Sequence, residues 1–115
     1  MNELEKKLLD LISTLKNCKS PALFLGSCSI TRLRSFIDGL CFAYSFPTLY
    51  RPHFFIEFGK CVEEKYAPNG TAKGWNTLLL EHAKDEEKGL DLFFREMEIF
   101  LSRNNIELPT ESRWL

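Results

Sequence analysis

The chain has 115 residues, 44% of them hydrophobic, with 15 Lys+Arg against 16 Asp+Glu and a net charge of -1. This length fits one domain that buries roughly two-thirds of its unfolded surface, and the hydrophobic share excludes wholesale disorder. A nucleic-acid binder carries a basic excess or stripe, so the near-zero balance speaks against direct nucleic-acid binding. The charge is uneven, however. Residues 1–52 hold seven basic and four acidic side chains, and residues 53–115 hold eight basic and twelve acidic.

The first predicted helix runs from about Asn2 to Asn17. Leu4, Leu8, Leu11, Ile12 and Leu15 recur at spacings of three and four, which places them on one face. Glu3, Lys6, Lys7, Asp10 and Ser13 fall on the opposite face, expected in water. Ser20-Pro21 stops the helix, because a residue before proline avoids helical backbone. Ala22 to Cys28 reads as a short apolar connector.

Ser29 is a fitting cap for the second helix. Its apolar face is Ile30, Leu33, Phe36, Ile37, Leu40 and Tyr44. Gly39 lies inside it, and a helical glycine costs about 1 kcal/mol relative to alanine. Close approach of another helix is the expected compensation. Pro47 ends the element.

Pro52 suits the first turn of a third helix. Phe54, Phe55, Phe58, Cys61, Val62 and Tyr66 form its apolar stripe, with Glu57, Lys60, Glu63 and Glu64 facing water. Pro68-Asn69-Gly70 marks a turn. Trp75, Leu78, Leu79 and His82 form a shorter fourth stripe. Asp85 caps a fifth helix, and Glu86 and Glu87 suit its positive end. Leu90, Phe93, Phe94, Met97, Phe100 and Leu101 are its core face, and Asn104-Asn105 closes it. No convincing period-two alternation appears. The expectation is an all-α, compact single-domain bundle of about five helices over residues 1–103, with residues 104–115 as a C-terminal tail. Ten Phe in so short a chain imply a core rich in aromatic rings.

No apolar run approaches the roughly 20 residues of a spanning helix. Met1 to Lys7 mixes acids and bases and lacks the apolar stretch of a signal peptide. A cytoplasmic location without a membrane partner is expected. Cys18, Cys28, Cys41 and Cys61 show no C-x-x-C pair, so reduced thiols and no metal site are expected. The two histidines, His53 and His82, have no paired spacing, and the six glycines are too scattered to cradle a phosphate. No catalytic residue and no cofactor are expected. A small enzyme using Cys28, Cys61 or a histidine is the weakest reading.

The acidic residues form the candidate site. Glu63 and Glu64 end the third helix, and Asp85, Glu86, Glu87 and Asp91 open the fifth. They read either as solvated helix surface with ordinary dipole matching or as an anionic face for a basic partner.

The stretch from Leu23 to Gly39, LFLGSCSITRLRSFIDG, resembles a pattern L-G-x-x-S-I-x-x-L-x-x-F-(aliphatic)-x-G of small bacterial immunity proteins. Phe58 to Tyr66, Gly74 to Leu80 around Trp75, and Asp85 to Phe94 resemble that group's later segments in the same order. Gly89 stands where the group often has alanine. The resemblance implies an immunity protein of a contact-dependent growth inhibition or other polymorphic toxin system. Such a protein binds a cognate toxin domain, the C-terminal fragment of a large secreted protein, and blocks it. It names no catalytic residue, and Glu63, Glu64, Asp85, Glu86, Glu87 and Asp91 are the toxin-binding candidates on charge alone. Tyr50, Arg113 and Trp114 are candidate anchors. The alternative is a non-catalytic adaptor or regulatory subunit of a bacterial complex.

Overall fold

The computed structural model describes residues 2–17 and 25–109, and five helices are laid out among them. They are α1 (Glu3–Asn17), α2 (Ile30–Ser45), α3 (His53–Tyr66), α4 (Trp75–Ala83) and α5 (Glu86–Arg103). No strand occurs among the described residues. The expectations that fall on residues 18–24 and 110–115, including Cys18, Ser20-Pro21, Arg113 and Trp114, lie outside them.

Local chemistry sets the helix ends. The Asn2 side-chain oxygen accepts the Glu5 N–H at 2.9 Å, and Ser29 Oγ accepts the Arg32 N–H at 3.2 Å. Each satisfies one of the free donors of a first turn. Pro52 sits one position before the expected first turn of α3. It is the capping residue, and its carbonyl accepts the Phe55 and Ile56 N–H groups. Lys84 ends α4 in left-handed backbone, φ 66°, with its N–H on the Leu80 carbonyl at 2.7 Å. Asp85 follows at once as the cap of α5, accepting the Lys88 N–H at 2.9 Å. A two-residue corner therefore joins α4 to α5. Asn105 closes α5 with φ 54°.

The centre of the bundle is aromatic. Phe58 lies 5.5 Å from Phe93, 5.7 Å from Phe55, 5.8 Å from Phe100 and 5.9 Å from Trp75, ring centre to ring centre. Edge-on and tilted contacts of this kind add to the area each ring buries. Around them pack Leu8, Leu11, Ile12 and Leu15 of α1, Ile30, Leu33 and Ile37 of α2, and Leu79, Leu90 and Met97 of α4 and α5. The radius of gyration, 13.6 Å, is close to the about 13 Å of a folded single domain of this length.

Several residues stand elsewhere than their spacing predicts. Asp10 and Ser13, expected in water, are buried, and α1 is covered on every side from Leu8 to Leu15. For Ser13 the reason is the chain beyond α5. Ile106 and Leu108 pack on the core, and Ser13 Oγ donates to the Pro109 carbonyl at 2.6 Å. Cys61, expected in the core, is exposed, since the α3 stripe narrows to Phe54, Phe55, Phe58 and Val62. Tyr44 is half-exposed because α2 is buried only as far as Cys41. Gly39 faces solvent with nothing near a Cβ built on it. The close approach it was expected to serve occurs at Gly89, whose added Cβ would stand 3.0 Å from Ile30 Cγ2 and 3.6 Å from Leu80 Cα.

Candidate interaction surfaces

The six acidic candidates do not behave alike. Glu86 turns from the first turn of α5 to the start of α2. Its Oε1 accepts the Ser29 hydroxyl at 2.8 Å and the Thr31 N–H at 3.0 Å, and its Oε2 accepts the Thr31 hydroxyl at 2.8 Å. The Thr31 N–H foremost, with the two hydroxyls, holds this carboxyl below the usual range, while burial and neighbouring Asp85 push the other way. Asp85 is occupied by its own helix cap. These two carboxylates are joints of the fold.

Glu63, Glu64, Glu87 and Asp91 are exposed and have no ion pair among the described residues. Most acids further along the surface are matched. Asp38 meets Arg34 at 3.1 Å and Arg51 at 3.3 Å, Glu57 meets Lys60, Glu81 meets Lys73, and Glu98 meets Lys16. The ends of α3 and α5 meet through Glu96. Its Oε1 accepts Lys65 Nζ at 2.7 Å and the Tyr66 hydroxyl at 2.8 Å. Lys65 and Glu96 stand between two shallow grooves. One, about 490 Å³, is lined by Asp91 together with His82, Lys88 and Arg95. The other, about 390 Å³, is lined by Glu64, Ile99 and Arg103. Charge alternates along these grooves, so the acidic candidates are not one continuous anionic face.

The chemistry of the remaining candidates is equally plain. Arg32 Nη1 donates to the Leu25 carbonyl at 3.2 Å. Arg34 bonds Asp38 and Asn76, and its guanidinium lies 5.4 Å above the Trp75 ring. Both first-turn arginines of α2 are thus used inside the fold. Cys41 is buried, and burial foremost pushes its thiol above the ordinary value, with Asp38 adding to it. A raised thiol is a poor nucleophile. Cys28 is half-buried and Cys61 exposed. The exposed His53 ring stands 3.9 Å from Glu57, and the His82 ring lies 4.9 Å from that of Tyr66. Among the described residues no group of three His, Cys, Asp or Glu side chains is placed to hold a metal ion, and no helix is long and apolar enough to cross a membrane. The chain matches no protein-family model, no curated protein and no solved structure.

One uncharged segment was only touched by sequence reasoning, through Tyr50. From Cys41 to Tyr50 the sequence CFAYSFPTLY holds no charged residue. Phe42, Tyr44, Phe46, Leu49 and Tyr50 all stand exposed there, and Ile56 does so one turn into α3. Phe42 and Phe46 meet edge to face at 5.4 Å. Arg51, held to Asp38, fastens the end of this loop to α2. The absence of charge over ten residues was the available signal. Helical spacing hid it, because Tyr44 continues the apolar stripe of α2.

Proposed function

We propose that this chain is an immunity protein. It binds a cognate bacterial toxin domain of the nuclease kind in the cytoplasm and blocks it by bulk and by charge. The reading starts from the resemblance of residues 22–102 to small bacterial immunity proteins. The observation that supports it on the surface is that Glu63, Glu64, Glu87 and Asp91 are exposed and make no ion pair among the described residues. A nuclease domain presents cations to phosphates. Unpaired carboxylates on a rigid bundle meet such cations without first breaking ion pairs of their own. Complementary charge of this kind raises the rate of encounter and rejects wrong partners. Asp85 and Glu86 contribute indirectly, by fixing where α5 begins relative to α2.

The test is capture of the tagged protein from native lysate, with partners identified by mass spectrometry. The expected result is the C-terminal fragment of a large secreted protein at near-equal stoichiometry, encoded just upstream. Recovery of housekeeping complexes alone, with the neighbouring toxin expressed, overturns the immunity reading. Reversal to Lys at Glu63, Glu64, Glu87 and Asp91 together is expected to weaken protection without unfolding the chain. Full protection by that folded variant removes the electrostatic part and leaves the immunity role standing.

A further inference from the structure

We propose that the groove lined by Lys88, Asp91 and Arg95 of α5 and His82 of α4 is a binding site for a small amino acid that carries a second carboxylate. The proposal does not rest on the toxin reading, and the two share only Asp91.

Three helices wall this groove, with Tyr66 coming from α3, His82 from α4 and Leu92 from α5. Its volume, about 490 Å³, lies within the range of small-molecule sites. The charges in it fall into two sets. Glu96 is occupied, since its Oε1 accepts Lys65 Nζ at 2.7 Å and the Tyr66 hydroxyl at 2.8 Å. Lys88, Asp91 and Arg95 are exposed and form no ion pair among the described residues. They stand three and four residues apart, which puts them on one face of α5. Asp91 and Arg95 have the spacing and order that favour an ion pair along a helix, yet they make none. The Arg95 charge opposes the rise of the Tyr66 phenol pKa, so the guanidinium stands toward the α3 wall.

The second set reads positive, negative, positive along about two helical turns, roughly 10 Å. A simple anion on Lys88 and Arg95 is opposed by Asp91, and a simple cation on Asp91 is opposed by both bases. A ligand that satisfies all three brings two negative groups and one positive group. An amino acid with a second carboxylate carries that set. Arg95 can hold one carboxylate through two parallel N–H bonds, which matches the planar fork of a guanidinium. Lys88, on a flexible four-carbon stem, takes the other, and Asp91 accepts from the ligand's ammonium. Leu92, which is buried, and the rings of Tyr66 and His82, 4.9 Å apart, give the ligand's methylenes an apolar wall.

The test is titration of the isotopically labelled full chain with L-glutamate, read by amide chemical shifts at fixed pH and ionic strength. The expected result is a saturable shift centred on His82 and on Lys88 to Glu96, with a dissociation constant of about 1 mM. L-Glutamine lacks the second carboxylate and glutarate lacks the ammonium, so each is expected to bind at least about fivefold more weakly. Arg95→Gln is expected to weaken L-glutamate at least about fivefold. Asp91→Asn is expected to weaken L-glutamate but to strengthen glutarate, a crossing that diffuse surface charge does not produce. Lys60→Gln, on α3 outside the groove and matched to Glu57, is expected to change neither. Circular dichroism checks that each variant is folded, and the comparison of the three probes on the wild-type chain needs no variant. The absence of a saturable shift up to about 50 mM L-glutamate overturns the proposal. So does glutarate binding as tightly as L-glutamate, a folded Asp91→Asn that leaves both affinities as they were, or a Lys60→Gln that weakens L-glutamate as much as Arg95→Gln.

Discussion

The carboxylate of Glu86, in the first turn of α5, accepts the backbone N–H of Thr31, in the first turn of α2, at 3.0 Å. Two helix starts that are 55 residues apart are thereby closed by one side chain. Ser29 already caps α2 through Arg32 N–H, so Glu86 satisfies a second free donor and both neighbouring hydroxyls. A negative group also suits the positive ends of both helix dipoles.

Glu86→Ala is expected to lower unfolding stability by about 1–2 kcal/mol, the size of a lost cap with charge-assisted bonds at a half-exposed site. Urea unfolding near neutral pH measures it. The pH dependence has a definite sign. The folded carboxyl titrates below its ordinary 4.5, so this contribution is complete above that value and is lost as pH falls through the folded value. Glu86→Gln removes this part of the acid sensitivity. An unchanged acid profile in Glu86→Gln rejects the linkage.

Gly89 and Gly39 are both helical glycines, and the structure predicts opposite effects of alanine. At Gly39 a new Cβ meets nothing, and alanine gains about 0.5–1 kcal/mol of helix propensity. At Gly89 the same gain is set against a Cβ 3.0 Å from the methyl of a fully buried, β-branched Ile30 and 3.6 Å from the backbone of Leu80. The crowding wins by about 1 kcal/mol, within the range of overpacked cores. Chemical denaturation of the two variants side by side decides the sign at each position.

Phe58 holds the aromatic centre together, with Phe55, Trp75, Phe93 and Phe100 all within 6 Å, centre to centre. Phe58→Ala is expected to cost about 3–5 kcal/mol, because four packed rings cannot all collapse into the space. That is a large share of the stability of an ordinary domain. Phe58→Leu is expected to cost less than half as much. Thermal unfolding, together with Trp75 fluorescence as a local reporter, distinguishes the two.

The helices were legible where period and cap agree. Ser29, Asp85 and Asn105 act as their residue types predict, and Ile30, Leu33 and Ile37 or Leu90, Phe93 and Met97 face inward on schedule. What failed depended on contacts between distant segments. Nothing local to Ser13 announces that its hydroxyl meets the carbonyl of Pro109, 96 residues away. Gly39 and Gly89 are equivalent in sequence terms, and only the packing of α5 against Ile30 separates them. Charge reasoning found the acidic candidates but not their use. Glu86 and Glu87 are neighbours of one type, yet the first is turned to Thr31 while the second is exposed, with no ion pair among the described residues.

Tyr66 offers a titration that reads the joint between α3 and α5. Its hydroxyl donates to Glu96 Oε1 at 2.8 Å, where Lys65 also binds. Burial foremost, then the bond to Glu96 and its negative charge, raise the phenol from 10.0 to about 12, with Arg95 opposing. A spectrophotometric titration at alkaline pH is therefore expected to show a tyrosinate step near 12, absent in Tyr66→Phe. Glu96→Gln removes the charge and weakens the acceptor, so the step moves down, while burial keeps it above the ordinary value. The folded value is raised, so the associated stability is complete below pH 10 and declines as pH rises toward 12. A step that stays in place in Glu96→Gln would mean that burial alone sets it, and that the Glu96 carboxylate does not hold the end of α3 to α5 through Tyr66.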